Sequence, residues 1–417
     1  MEFARERLVI ASEEQETRRR HAAYFLALAE TAERELQGPA IVTWLDRTEA
    51  EMENFRAASL WLAEGGEHDQ ALRLVGALWF SFVPRWRVIE GKGLLLPVLA
   101  ASEGLRVPAR AMALFGAAFL IATFDERHEA ARPLLAESLA IAQEVGDSAV
   151  AGYACLGLGV LLKRGGDWRE TSKLYARAIT LLEQSDDWWG LGWAYNFAAQ
   201  PSTDPREVPE QPALLERSLA IFLAHGNEHG AADTYRAMGM RAFVANDAGR
   251  ARELLERSLA LSRRLAARWN VAICLDRLVG VLAALGELEA ARQYAREALL
   301  FQHDYGIWVG VANNLERSAG LAFRAGRLER AAHLAGAVAA LDAAHGEHRE
   351  RNFPDAALKS EAWQPHLQAA LGDAAFQAAF TIGWQMPLDD AVAFAVSDIW
   401  PTTNGPLAVG RAATRRS

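Results

Sequence analysis

One feature constrains this chain more than any other: a helical phrase that returns at a fixed period of about 40 residues, the range of helix-pair repeats. It is ARPLLAESLAIAQEVGD from Ala131, TSKLYARAITLLEQSDD from Thr171, QPALLERSLAIFLAHGN from Gln211, ARELLERSLALSRRLAA from Ala251, ARQYAREALLFQHDYGI from Ala291 and AAHLAGAVAALDAAHGE from Ala331. The starts are evenly spaced and no gap interrupts them. Their fourth position is Leu134, Leu174, Leu214, Leu254, Tyr294 and Leu334; their ninth is Leu139, Ile179, Leu219, Leu259, Leu299 and Ala339. Apolar residues at such spacings form one stripe along a helix. The eighth position is small or narrow (Ser138, Ala178, Ser218, Ser258, Ala298, Val338), which lets a neighbouring helix come close. Gly stands at the end of four segments, at Gly146, Gly226, Gly306 and Gly346, where a left-handed residue closes a helix.

A second helix precedes these segments, as in AVAGYACLGLGVLLKRGGD, VAICLDRLVGVLAALGELEA and VANNLERSAGLAFRAGRLER. In four units the turn between the two helices falls on the same frame, at Gly166, Asn246, Gly286 and Gly326. In one unit the three prolines of PSTDPREVPE, residues 201–210, predict a longer, irregular connection instead. A single helix pair cannot bury its apolar face, whereas stacked pairs share a continuous core. The expected fold is therefore an all-α solenoid, with units at 111–150, 151–190, 191–230, 231–270, 271–310 and 311–350.

Composition narrows the function classes. With 51 % hydrophobic residues, 23 % charged residues and 14 prolines in 417, the chain has the makeup of a folded globular protein. A net charge of −9 argues against direct nucleic-acid binding, which asks for a basic face. Cys155 and Cys274 form no CxxC or Cys/His cluster and read as buried small apolar residues. The N-terminal MEFARERLVIASEEQETRRR is charged and lacks the apolar core of a signal peptide. The longest uncharged stretch runs only from Trp188 to Thr203 and carries Asn196, Gln200 and Ser202. A bilayer span needs about 20 apolar residues, more than this stretch holds. The expectation is a soluble, cytoplasmic chain without a cofactor or membrane contact.

The phrase GELEAARQYAREAL resembles the tetratricopeptide repeat. Gly286, Leu288, Ala291, Tyr294 and Ala298 fall where that repeat places Gly, a large residue, Ala, an aromatic and Ala. GRLERAAHLAGAV and NDAGRARELLERSL fit it less completely. The usual period of that repeat is about 34 residues, so these units would carry longer helices or loops. HEAT-type pairs have a period of about 40–47 but lack the Gly–Ala signature. The resemblance implies a right-handed α-solenoid whose first helices line a concave surface.

The flanks carry a second resemblance. RRRHAAYFLALAE at 18–30, WLDRTEAEMENFRAASLWLAEGG at 44–66 and ALRLVGALWFSF at 71–82 occur in order near the N-terminus. ERAAHLAGAVAALDAAHGE opens a closing stretch at 329–398 with Leu371–Gly372, Phe376, Trp384 and Leu388–Asp389–Asp390–Ala391. This ordered set resembles the C-terminal helical arms of bacterial regulatory ATPases of the STAND class, relatives of LuxR-type and antibiotic-regulatory activators. The family's phosphate-binding GxxxxGK[ST] loop is missing: the one Gly–Lys pair, Gly91–Lys92, lacks the Ser/Thr and the preceding glycine spacing. No helix-turn-helix follows Asp398, although some members place one there. The resemblance implies that residues 1–20 are a remnant of a preceding winged-helix segment and 21–110 an irregular helical N-terminal part. Six repeats at 111–350, a helical cap at 351–398 and a disordered tail at 399–417 would follow.

Catalytic chemistry finds little support. The ten histidines are scattered, and the one close pair, His345 and His348 in HGEH, sits at a helix end with no third ligand in view. The chain is therefore not expected to be an enzyme. The tetratricopeptide resemblance suggests instead which first-helix positions point inward. They include Tyr153, Leu156 and Val160; Trp193, Asn196 and Gln200; Asp233, Arg236 and Met240; Ile273, Asp276 and Gly280; Asn313, Glu316 and Gly320. A core row would be uniformly apolar; this one mixes Trp, Asn, Gln, Asp, Arg and Glu. The expected ligand or peptide groove comprises Tyr153, Trp193, Asn196, Gln200, Asp233, Arg236, Asp276, Asn313 and Glu316. Trp188, Trp189 and Trp193 read either as anchors for a partner or as core. Two functions stay open: a non-catalytic sensor arm binding a protein, peptide or small inducer and acting with an ATPase module in cis or in trans, or a stand-alone tetratricopeptide scaffold.

Overall fold

A computed structural model describes residues 13–124, 128–200, 211–345 and 358–397. The 201–210 connection, Gly346, His348, most of the 1–20 segment and the 399–417 tail lie outside these residues. Twenty α-helices and no strand are found among the described residues. The first seven are α1 (Glu14–Glu35), α2 (Ile41–Ala50), α3 (Met52–Glu64), α4 (His68–Leu78), α5 (Val88–Ala101), α6 (Pro108–Phe124) and α7 (Ala131–Val145). A short 3-10 turn, Trp79–Phe82, follows α4. Next come α8 (Ser148–Arg164), α9 (Trp168–Gln184), α10 (Trp188–Ala198), α11 (Gln211–Ala224), α12 (Glu228–Val244), α13 (Ala248–Arg264) and α14 (Arg268–Ala284). The last are α15 (Leu288–Asp304), α16 (Trp308–Arg324), α17 (Leu328–His345), α18 (Ser360–Leu371), α19 (Asp373–Trp384) and α20 (Leu388–Val396). The fold is an all-α solenoid of tetratricopeptide-like helix pairs.

The corners explain the register. Gly146, Gly166, Asp186, Gly226, Asn246, Ala266, Gly286, Gly306 and Gly326 all have positive φ, evenly spaced at two per repeat wherever the chain is described. The residue after several of them caps the next helix. Asp147 accepts from the Val150 amide (3.0 Å), Asp167 from Glu170 (3.2 Å), Asp187 from Gly190 (2.9 Å), Asn227 from Gly230 (2.6 Å) and Asp247 from Arg250 (2.9 Å). A left-handed residue turns the chain, and a side-chain oxygen satisfies an amide that the new helix leaves orphaned. The small eighth positions have a second role. Ser138 Oγ donates to the Ala111 carbonyl at 2.7 Å and Ser218 Oγ to the Gly192 carbonyl at 2.8 Å, tying the second helix of a pair to the first.

The chain divides into two compact units: residues 1–238 with 260–271, and 239–259 with 272–417. In the first, Phe25 and Phe55 meet edge to face at 5.4 Å between ring centroids, beside wholly buried Leu72, Leu74 and Leu78. In the second, Leu299, Val311 and Leu315 form a core with Leu334, Trp363, Leu367 and Phe376. There α17 and α19 touch backbone to backbone. A Cβ added at Gly336 would run into the Phe380 carbonyl, and one at Gly383 into that of His333.

Candidate functional site

Six of the nine groove candidates belong to the first unit, on α8, α10 and α12 and just past the end of α10. Tyr153 is buried and its hydroxyl donates to Asp187 Oδ2 at 2.5 Å. Burial, and then the Asp187 charge, hold that phenol well above its ordinary pKa of 10.0. Asp187 thus serves two partners, because its other oxygen caps α10. Trp193 is buried among Phe222 (5.2 Å between centroids), His229 (5.7 Å) and Phe197 (5.9 Å). Asn196 is wholly buried; its Nδ2 donates to Thr234 Oγ1 at 3.1 Å, and its Oδ1 accepts from Gln200 at 3.1 Å. Half-buried Gln200 accepts from Lys163 Nζ at 3.2 Å. Asp233 is buried and pairs with half-buried Arg236 at 2.6 Å.

What covers these residues is the chain itself. Phe80, from the 3-10 turn after α4, packs on Trp189 (4.9 Å), His229 (5.5 Å) and Trp193 (6.4 Å). Trp79 reaches Trp189 at 6.1 Å. Further on, Trp86 holds a left-handed backbone, φ 58°, and packs on Trp269 (4.6 Å) and Phe124 (5.9 Å). So bulky a residue at positive φ is strained, and surrounding contacts must hold it there. A strap from Trp79 to Trp86 therefore lies against first helices of later repeats. Tyr153, Trp193, Asn196 and Asp233 are buried residues rather than walls open to solvent.

The remaining three candidates belong to the second unit. Half-buried Asp276 accepts from Asn314 Nδ2 (2.6 Å) and Gln302 Nε2 (2.9 Å), and pairs with Arg317 at 3.6 Å. Glu316 is buried, and one of its oxygens accepts from both the amide (2.9 Å) and the hydroxyl (2.7 Å) of Ser360, fixing the start of α18. Asn313 is half-buried. Its neighbour Asn314, absent from the candidate row, is wholly buried and also bonds Gln302 Oε1 (2.8 Å) and the Gly310 carbonyl (3.1 Å).

A shared pattern emerges within each unit. Asn196 bonds a residue 38 positions on, Thr234, and Asp276 bonds one 38 positions on, Asn314. The inner-row polar residue of one repeat thus reaches the first helix of the next. The mixed polarity that suggested a groove is used, at these two positions, to join neighbouring repeats. A signal for it stood in the sequence: Thr234, Cys274 and Asn314 are polar or sulfur-bearing at one frame position.

Among the described residues no group of three or more His, Cys, Asp or Glu is gathered as for a metal. Cys155 and Cys274 are buried thiols, and Cys274 Sγ donates to Ser258 Oγ at 3.2 Å. His345 stacks on Trp308 at 4.4 Å. Burial pushes buried His229 down to about 4, so its ring is neutral near pH 7. Its Nδ1 has no hydrogen-bond partner among the described residues.

No protein-family model matches the chain. A protein of Mycobacterium bovis and two of Mycobacterium tuberculosis, each named "Putative HTH-type transcriptional regulator", are 25 % identical to it over 509 aligned positions. The alignment covers 92 % of this chain and 56 % of theirs, so the chain spans about half the length of the relatives it matches. Among solved structures, a signal transduction ATPase with numerous domains from Pyrococcus horikoshii, described as carrying a tetratricopeptide repeat sensor, superposes with a TM-score of 0.52. The match is 12 % identical and covers 82 % of this chain and 54 % of that one. The likeness is one of fold. No helix among the described residues is long and apolar enough to cross a membrane.

Proposed function

We propose that this chain is the non-catalytic sensor and protein-interaction arm of a signal-transduction transcriptional regulator. It binds a protein, peptide or small inducer and passes the event to an ATPase module in cis or in trans. One observation carries this reading: the solenoid shares its fold with a STAND protein described by its tetratricopeptide sensor. Similarity to transcriptional regulators along 92 % of the chain supports it. The finer kinship, with LuxR-type and antibiotic-regulatory activators, rests on the ordered phrases at 18–30, 44–66, 71–82 and 329–398. Among the groove candidates of the first unit the half-buried, accessible ones are Gln200 and Arg236, and among those of the second unit they are Asp276 and Asn313.

The reading is tested by adding the purified chain to the P-loop ATPase module encoded in the same frame or beside it. ATP turnover should change by about fivefold or more, the lower end of ordinary coupling between sites. Unchanged turnover, together with unchanged transcription from the promoters that module controls, refutes the proposal.

A further inference from the structure

Helix α5 gives one face to the first unit and turns the other outward. Val88, Gly91, Leu94, Leu95, Val98 and Leu99 are buried. Ile89, Gly93, Leu96, Pro97 and Ala100 are exposed, Ile89 to 84 % and Leu96 to 39 %. Ile89 is the most exposed large apolar side chain among the described residues. No charge stands in this row. Ile89, Gly93, Leu96 and Ala100 follow one another at steps of four, three and four residues, the spacing of a coiled-coil seam. Gly93 points the same way. A glycine inside a helix weakens it relative to alanine, and a close neighbour is the usual compensation. Gly91 in the same helix has such neighbours: a Cβ there would meet Leu120 and Phe82 at 2.7–2.8 Å. A Cβ on Gly93 would meet no atom within 4 Å. The room it leaves lies on the outward side, in the middle of the apolar row.

We propose that α5 is a self-association face: two copies of the chain pack their α5 helices in parallel about a two-fold axis, along Ile89, Gly93, Leu96 and Ala100. Charge favours a second copy in this arrangement. Each chain carries −9, so two copies repel wherever charged faces meet, and this row is neutral. Its flanks carry Glu90, which pairs with Arg87, on one side and Lys92 on the other. A parallel pair sets these unlike flanks together, whereas an antiparallel pair sets like against like. Shape agrees. In parallel register each seam residue meets its own copy, so the backbones approach at Gly93 while Ile89 and Leu96 form apolar layers on either side. Area sets the strength. A seam about 21 Å long and about 10 Å wide covers about 200 Å² of each copy. A stable interface takes about 800 Å² per partner, so this pair is weak and reversible. The inference goes beyond the sensor reading and does not depend on it.

Sedimentation equilibrium of the purified full chain, loaded from about 5 to about 400 µM, is the direct test. The mean mass should rise from one chain toward two, with Kd of about 10–200 µM. Ile89→Glu and Gly93→Glu set like charges face to face across the two-fold, and each should raise Kd about tenfold or more. Both positions are open to solvent, so the far-UV spectrum should stay that of wild type. Leu223→Glu removes another exposed apolar side chain, on α11, and should associate as wild type. Cross-linking reads the register. Cys155 and Cys274 are buried. Ile89→Cys and Ala100→Cys, at opposite ends of the seam, should each yield a disulfide-linked dimer under mild copper-phenanthroline oxidation, faster than Leu223→Cys does. An antiparallel crossing cannot bring both positions onto their own copies. The mass of one chain at every concentration overturns the proposal, as does association undiminished in Ile89→Glu and Gly93→Glu. Cross-linking at either seam position no faster than in Leu223→Cys overturns it too. The readout is mass rather than ATP turnover, so its failure leaves the sensor reading standing.

Discussion

His229 makes the stability of the first unit depend on pH in a direction that can be worked out. Its ring is enclosed by Phe80 and Trp193, and burial lowers its pKa from 6.5 to about 4, with Asp233 opposing and Arg236 reinforcing the shift. The unfolded chain therefore takes up a proton on this residue before the folded one does. Above pH 6.5 both states hold it neutral and its contribution is fully present. Stability falls as pH drops from 6.5 and levels off below about 4, where both states are protonated. The interval corresponds to about 3 kcal/mol at about 1.4 kcal/mol per pH unit. The assay is urea unfolding followed by tryptophan fluorescence at half-unit steps of pH, comparing wild type with His229→Phe. Carboxylates titrate in both proteins, so the difference between the two curves isolates the histidine. The wild type should lose about 3 kcal/mol more than His229→Phe across the window. Parallel curves would refute the reasoning, because they would mean that the ring is solvated or hydrogen-bonded in the folded chain.

Three further outcomes follow from the packing. Trp193→Ala should destabilise the first unit by about 3–5 kcal/mol in the same unfolding experiment, the cost of emptying a buried aromatic site; a cost below about 1 kcal/mol would return Trp193 to an open surface. Ala266→Gly should stabilise the chain by up to about 1 kcal/mol, read as a higher melting temperature, because Ala266 holds φ at 50° where its methyl is strained. Gly383→Ala should cost the second unit about 3 kcal/mol or more, seen as early loss of Trp363 fluorescence, since the added methyl meets the His333 backbone, which cannot yield as a side chain would.

The repeat was legible because its causes are local. Apolar spacing sets each helix, and Gly at Gly146, Gly166, Gly226, Gly286, Gly306 and Gly326 marks corners that need positive φ. Two corners were hidden, at Asp186 and Ala266, because there the chain accepts strain in place of glycine. The capping carboxylates Asp147, Asp167, Asp187 and Asp247 stood beside these corners and could have been read from them. The inner row was only half legible. Its polarity is plain in the sequence, but whether Asn196 faces a ligand or Thr234 depends on helix spacing, which no local pattern encodes. The burial of Trp189 and Trp193 was beyond reach for a different reason. It depends on Trp79 and Phe80, which belong to no repeat and meet their partners only in three dimensions.

That strap has a consequence for how the chain comes into being. Asn227 donates to the Gln37 carbonyl 190 residues earlier, and Arg268 to that of Arg85, 183 residues earlier. Ideal repeat arrays nucleate anywhere and grow by nearest-neighbour steps. Contacts this distant in sequence must instead wait for a large loop to close, which slows folding. On the ribosome Phe80 and Trp86 are delivered long before Trp189, Trp193 and Trp269 exist to cover them. Until they arrive the nascent chain carries a naked aromatic surface, so its yield in the cell depends on chaperone protection during that interval.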